Sequence, residues 1–201
     1  EVGVNHNGSV PMAMELIDIA AAAGANAVKF QTFRAENLVT AIASKASYQL
    51  ATTDSDETQF TMIKGLELDE ESFEILARHA AAKNIEFIST PFDEQSVVFL
   101  AHELNVARLK ISSGELTNGP LLLKAASTGK PVILSTGMST LGDIEMALGV
   151  LAYGYLKGSS SPSAEAFRAA YISETGRQIL KEKVTLLHCT TEYPAPFREA
   201  N

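Results

Sequence analysis

Six short runs rich in apolar and β-branched residues recur along the chain: Glu1 to Val4, Ala27 to Thr32, Glu86 to Ser89, Ala107 to Ser112, Pro131 to Ser135 and Val184 to Cys189. Each of the first five is followed by a segment of helical period. Strand-length runs alternating with helices are the pattern of a parallel α/β protein, because parallel neighbours need a crossover connection. The helices carry their own punctuation. Ser9 as N-cap and Pro11 in the first turn open one that stops at Gly24. Asp69 opens a second that Asn84 ends, a third runs from about Asp93 to His102, and a fourth from Pro120 to Gly129. Thr140 with Asp143 forms a capping-box pattern for a fifth, expected to reach Tyr153.

Two intervals are too long for a bare βαβ unit. Residues 33 to 68 follow the second strand and precede its helix, which places them at the C-terminal ends of the strands, where parallel α/β proteins build their sites. That insertion reads as a lid. Residues 157 to 183 precede a strand and therefore lie on the opposite face; a serine-rich linker there leads into an added surface helix over Ala164 to Lys181, suited to packing or subunit contacts.

Composition narrows the function. A formal charge of −8 argues against a nucleic-acid surface, so any anionic ligand must be met by a few local cations. Apolar residues at 46% and charged residues at 20% are ordinary for a globular domain, and no apolar run reaches the roughly 18 residues of a membrane span. One cysteine, Cys189, excludes a disulfide framework and fits a reducing cytoplasm. The chain opens at Glu1 without a methionine and stops at Asn201 after a proline-containing stretch, as expected of a sequence cut at both ends.

Chemistry enters through cations inside strands. Lys29 lies between Val28 and Phe30, and Lys110 between Leu109 and Ile111, in strands that a parallel sheet buries on both faces. A desolvated ammonium costs several kcal/mol unless it meets an anion. One such lysine reads equally well as a side chain snorkelling to water, but two at matching places are harder to explain that way. Strand parity puts Lys29 and Gln31 on one face, and likewise Glu1, Gly3 and Asn5. Hydroxyl pairs end three further strands, at Ser89-Thr90, Ser112-Ser113 and Ser135-Thr136. Singly they read as helix caps; together they describe a site for a small polyanion such as a phosphate.

Glu1 is open to three roles: general base, partner of a metal-bound water, or salt-bridge partner of a lysine. Glu115 and Glu192 are expected at the same mouth. The four histidines make no metal motif: His6 lines the mouth or bonds its turn, His79 and His102 are structural, and His188 is expected to be buried. Cys189 beside His188 is no nucleophilic dyad, since neighbours on a strand point to opposite faces.

The motifs Gly3-Val-Asn-His-Asn-Gly8, Ala27-Val-Lys-Phe-Gln-Thr-Phe33, Ser89-Thr-Pro-Phe92, Leu109-Lys-Ile-Ser-Ser-Gly-Glu115, Ile133-Leu-Ser-Thr-Gly-Met138 and His188-Cys-Thr-Thr-Glu-Tyr-Pro-Ala-Pro196 occur in the same order in one family. Over its whole length the chain resembles the bacterial N-acetylneuraminate (sialic acid) synthases. The resemblance implies a (β/α)8 TIM barrel, with about six βα units present in residues 1 to 201, followed in the family by two more units and an antifreeze-like domain. It implies condensation of phosphoenolpyruvate with an N-acetylated hexosamine, N-acetylmannosamine first, with Mn2+ or another divalent metal, in a cytoplasmic homodimer. Related enzymes make legionaminate or pseudaminate, and this sequence is more similar to the neuraminate and legionaminate groups.

Carried over by position, the resemblance implies phosphoenolpyruvate contacts at Lys29, Thr90, Lys110, Ser113 and Ser135, and at Thr191, where some members have asparagine. Glu1 corresponds to the acid near metal-bound water, Gln31 to a glutamine near the sugar and Tyr193 to a sugar-contacting tyrosine. The family's metal histidines fall beyond Asn201, so no metal ligand is assigned here. Two rivals stand beside this reading: a Schiff-base aldolase using Lys29 or Lys110 as nucleophile, and a non-catalytic or ligand-binding fragment.

Overall fold

Residues 1 to 40, 58 to 158, 160 to 190 and 195 to 199 are described by the computed structural model, which divides into two units, Glu1–Phe99 and Leu100–Asn201. In the first unit the side chain of Ser9 accepts the Met12 amide and Pro11 occupies the first turn, so α1 runs over Val10–Ala22. β1 (Ala27–Thr32) follows, then α2 (Ala35–Leu38), α3 (Gln59–Leu66) and α4 (Glu70–Ala82), the last capped by Asp69. β2 (Glu86–Pro91) pairs parallel with β1 in a register running from Ala27 with Glu86 to Thr32 with Pro91. Asp93 caps α5 (Glu94–Val98), after which Phe99–Glu103 continue as a π-helical stretch where one α-helix was expected.

The two faces of the β1–β2 ladder differ. Phe30 and Phe87 stack with ring centroids 5.1 Å apart, and Phe73 of α4 meets Phe87 edge-on at 6.4 Å, so Val28, Phe30 and Thr32 face the helices. Lys29, Gln31 and Thr90 point the other way, as the alternation of side chains requires.

The expected first strand is reduced to a single parallel bridge, Gly3 with Phe30. Gly3 has φ +56°, and Val2 and Gly3 both donate their amide hydrogens to the Lys29 carbonyl. The chain then coils: Asn5 donates to Val2 and Asn7 to Val4. A strand needs alternating donors along its length, and a residue in the left-handed region breaks that alternation.

In the second unit β3 (Leu109–Ile111), β4 (Val132–Ser135) and β5 (Val184–Leu187) form a parallel sheet in that order. Asn118 caps α6 (Gly119–Ser127), and the capping box of Thr140 and Asp143 is present at the start of α7 (Leu141–Tyr155). The surface helix expected over Ala164 to Lys181 is two helices, α8 (Ala164–Ile172) and α9 (Glu174–Lys183). Ser173, at φ −67° and ψ 152°, ends one and caps the other by accepting the Gly176 amide. β5 is shorter than expected and largely exposed, and His188 is exposed rather than buried, because β5 pairs only with β4 among the described residues.

The α/β class with parallel strands is therefore present. The described strands make a two-stranded and a three-stranded sheet, and no closed barrel is formed among the described residues. None of the described helices is long and apolar enough to cross a membrane.

Candidate active site

In the first unit, the side chains of Lys29, near the middle of β1, and Glu1 form an ion pair. Lys29 is 17% exposed and Glu1 58%. Gly3 lies between this pair and Gln31: a Cβ built there would sit 3.8 Å from Gln31 Nε2 and 3.8 Å from Glu1 Oε1. Glu1, Lys29 and Gln31 are thus gathered round one glycine. Thr90 is buried and in register with Gln31, on the same face. Ser89, its neighbour, is not: it turns to the helix side and meets Thr32 hydroxyl to hydroxyl at 2.7 Å. Of that hydroxyl pair only Thr90 belongs with Lys29.

In the second unit Lys110 is 8% exposed, and its Nζ donates to the Ile111 carbonyl at 2.8 Å and to Ser135 Oγ at 2.6 Å. Ser113 Oγ accepts the Gly137 amide at 2.9 Å. A Cβ on Gly137 would lie 3.0 Å from Ser113 Oγ and 3.2 Å from the Thr190 carbonyl, so the chain segments following β3, β4 and β5 meet at this glycine. Both serine oxygens receive a hydrogen bond from behind, which leaves each hydroxyl proton for an acceptor in front. Lys110 in β3, Ser135 at the last residue of β4 and Ser113 just past β3 supply an ammonium and two polarised hydroxyls, donors suited to an oxyanion.

Other sequence expectations fare differently. Ser112 precedes the 3-10 turn Ser113–Glu115 without a side-chain cap bond, and Thr136 bonds the Leu187 carbonyl through its hydroxyl at 2.9 Å. Glu115 accepts from Asn118 Nδ2 at 2.7 Å, tying the start of α6. Thr191, Tyr193 and Glu192 lie outside the described residues. His6 bonds its own turn, Nδ1 accepting the Gly8 amide at 3.0 Å, and burial pushes its pKa below the ordinary value. Sequence reasoning passed over Gly3 and Gly137 as convergence points; in both cases a glycine beside a polar strand end was the available signal. A cavity of about 490 Å3 in the second unit lies between α7 and α8 and is lined by none of the residues named for chemistry. Among the described residues, no group of three or more His, Cys, Asp or Glu side chains is placed to hold a metal ion.

A profile of the NeuB family matches residues 16 to 201. The chain belongs to the NeuB family. Over all 201 residues it is 48% identical to the N,N'-diacetyllegionaminic acid synthase of Campylobacter jejuni, covering 53% of that protein, and 43% identical to that of Legionella pneumophila, covering 50%. Among solved structures, the N-acetylneuraminic acid (sialic acid) synthetase of Leptospira borgpetersenii, in complex with citrate, superposes with a TM-score of 0.71 at 30% identity; the match covers 100% of this chain and 56% of that one. The chain spans about half the length of the relatives it matches.

Proposed function

We propose that this NeuB family chain is the N-terminal catalytic part of a synthase that condenses phosphoenolpyruvate with an N-acetylated hexosamine. The observation that carries the reading is Lys110 held against Ser135, with Ser113 braced by Gly137, at the ends of the β3–β4–β5 sheet. In this reading Lys110, Ser113 and Ser135, with Lys29, Thr90 and Thr191, hold the phosphate and carboxylate of phosphoenolpyruvate. Gln31 and Tyr193 meet the sugar. Glu1, paired with Lys29, stands where a proton or an ordered water has to be held.

The methylene carbon of phosphoenolpyruvate attacks the sugar aldehyde and forms the carbon–carbon bond. Water adds to the resulting oxocarbenium carbon, and phosphate leaves by carbon–oxygen cleavage. The lysines and hydroxyls stabilise the oxyanions while positive charge develops next to them. A (β/α)8 barrel, a homodimer, a cytoplasmic location and a divalent metal, Mn2+ or another, belong to the same reading of the full-length protein. The described residues offer no ligand set for the metal, and no step is assigned to it.

N-Acetylmannosamine is the sugar that the resemblance to the sialic acid synthases implies. The two legionaminic acid synthases at 48% and 43% identity favour a second reading in which the acceptor is a diacetamido-hexose. Phosphate release from phosphoenolpyruvate with each sugar, measured on this chain beside a full-length version, separates the readings. No release with either sugar from the full-length protein sinks the synthase reading. Release only from the longer protein identifies the present chain as a non-catalytic fragment. A reduced adduct on Lys29 or Lys110 after borohydride and a carbonyl substrate would instead establish the Schiff-base aldolase.

A further inference from the structure

His6 sits at 1% exposure with its ring stacked on Phe30, centroids 6.1 Å apart and planes at 29°. Phe30 is the residue of β1 between Lys29 and Gln31. Because Nδ1 accepts the Gly8 amide, a neutral ring carries its proton on Nε2. That Nε2 is buried and has no hydrogen-bond partner among the described residues. An apolar ring of the same shape would escape the cost of burying such a donor, which runs to about 1–3 kcal/mol. What the imidazole supplies in exchange is the Nδ1 lone pair at Gly8.

Gly8 matters because it is a contact point. Its φ is +75°, and a Cβ there would stand 2.5 Å from the Gly65 carbonyl oxygen of α3. α3 is the returning helix of the insertion that leaves β1, and its base is fastened to the start of that insertion: Glu67 accepts the Ala35 amide at 2.9 Å and Lys64 Nζ at 3.0 Å. On the other side of Gly8, the turn runs back through Asn7 to Val4 and Asn5 to Val2, and Val2 and Gly3 hang on the Lys29 carbonyl. One hydrogen bond therefore sits where the turn bearing Glu1 and the helix of the insertion meet.

We propose that His6 is a positioning residue, its Nδ1 fixing the Asn5–Gly8 turn so that Glu1 is held on Lys29 and α3 is seated against Gly8. The proposal deepens the synthase reading and rests on it for its catalytic consequence. It is tested on the full-length protein with His6→Phe, which keeps the stacked ring and drops the acceptor, and His6→Asn, which returns an acceptor close to the Nδ1 position. His6→Phe should speed amide exchange at Gly8 and lower kcat/KM for the sugar by about 10- to 100-fold, the loss expected of a small misplacement near reacting groups. Phosphate-ion binding should stay within about twofold, and His6→Asn should restore both losses in large part.

Unchanged Gly8 exchange in His6→Phe, or an asparagine variant no better than phenylalanine, overturns the proposal. Should His6→Phe not fold, imidazole nitrogen shifts of the unmodified protein decide: a proton on Nε2 and an accepting Nδ1 support it, and the opposite tautomer refutes it. If the exchange responds as expected while no condensation is found in the unmodified protein, the synthase reading fails and the turn-fixing role of His6 stands.

Discussion

The two units hold their strand lysines by different means. Lys29 is tied to Glu1, 28 residues away, on a turn outside the strand ladder. Lys110 is tied to groups of its own sheet, the Ile111 carbonyl and Ser135 of the paired strand. The first arrangement depends on where a turn is placed; the second follows from sheet register. A change of side chain near Glu1 can therefore move the carboxylate without disturbing β1, whereas the β3–β4 register keeps Lys110 and Ser135 on neighbouring strands.

The most direct effect expected from this contrast is on anion binding. Lys110→Met in the full-length protein should weaken phosphoenolpyruvate binding by about 10- to 100-fold, the loss of a charge-assisted hydrogen bond worth about 1.5–3 kcal/mol. Sugar binding should be nearly untouched. Calorimetric titration with each substrate measures both, and equal losses would break the assignment of this cluster to the anion.

Two glycines sharpen the comparison through stability. Gly8→Ala combines a left-handed backbone, φ +75°, with a Cβ 2.5 Å from a backbone oxygen, so it should cost about 2–4 kcal/mol. Gly137→Ala meets Ser113 Oγ at 3.0 Å and the Thr190 carbonyl at 3.2 Å, which calls for smaller shifts and about 1–2 kcal/mol. Urea midpoints at constant slope give the two values. A costlier Gly137→Ala would mean that the strand-end junction, not the turn, is the tighter of the two. Glu1→Gln comes next. With Glu1 58% exposed, its pairing with Lys29 is worth under about 1 kcal/mol to the fold, so stability should scarcely change while turnover falls. A large loss of stability would contradict the view of Glu1 as a reacting rather than a structural group.

What the sequence disclosed follows the range of the interactions concerned. The helix starts at Ser9, Asp69 and Thr140 were legible because a cap bonds an amide two or three residues on, within the reach of a local motif. The parallel α/β class and the facing of Lys29 with Gln31 were legible from period alone. Glu1 to Val4 has strand composition, yet two of its amides share the one carbonyl of Lys29, a long-range fact that no local pattern carries. Ser173 carried a readable N-cap signal, but one long amphipathic segment concealed it. Ser89 could have been separated from Thr90 by parity, since adjacent strand residues point to opposite faces. The meeting of Ser113, Gly137 and Thr190 depends on the order β3–β4–β5, which the sequence runs do not state.

The smallest effect expected separates the units by acid. Among the described residues, four carboxyls are held below their ordinary values, and three lie in the first unit. Hydrogen bonds from Lys83 and then His79 lower Asp18, its own backbone amide and then Lys64 lower Glu36, and the Ser72 side chain and amide lower Asp69. In the second unit the Thr140 side chain and amide lower Asp143. In the unfolded chain these groups take up protons near their ordinary values of 3.8 and 4.5, while in the fold they stay charged to lower pH. Below those values the unfolded state binds more protons, so the stability they contribute, complete at neutral pH, is lost as pH falls through the folded values. All four lie at the surface, Asp18 and Asp143 half-buried, so each contribution is small and screened by salt. Amide exchange followed from neutral pH to below pH 4 should show α1 and α4 losing protection before α7, with the gap narrowing in high salt. Loss of α7 first would show that burial in the sheet of the second unit, rather than surface charge, governs the acid response.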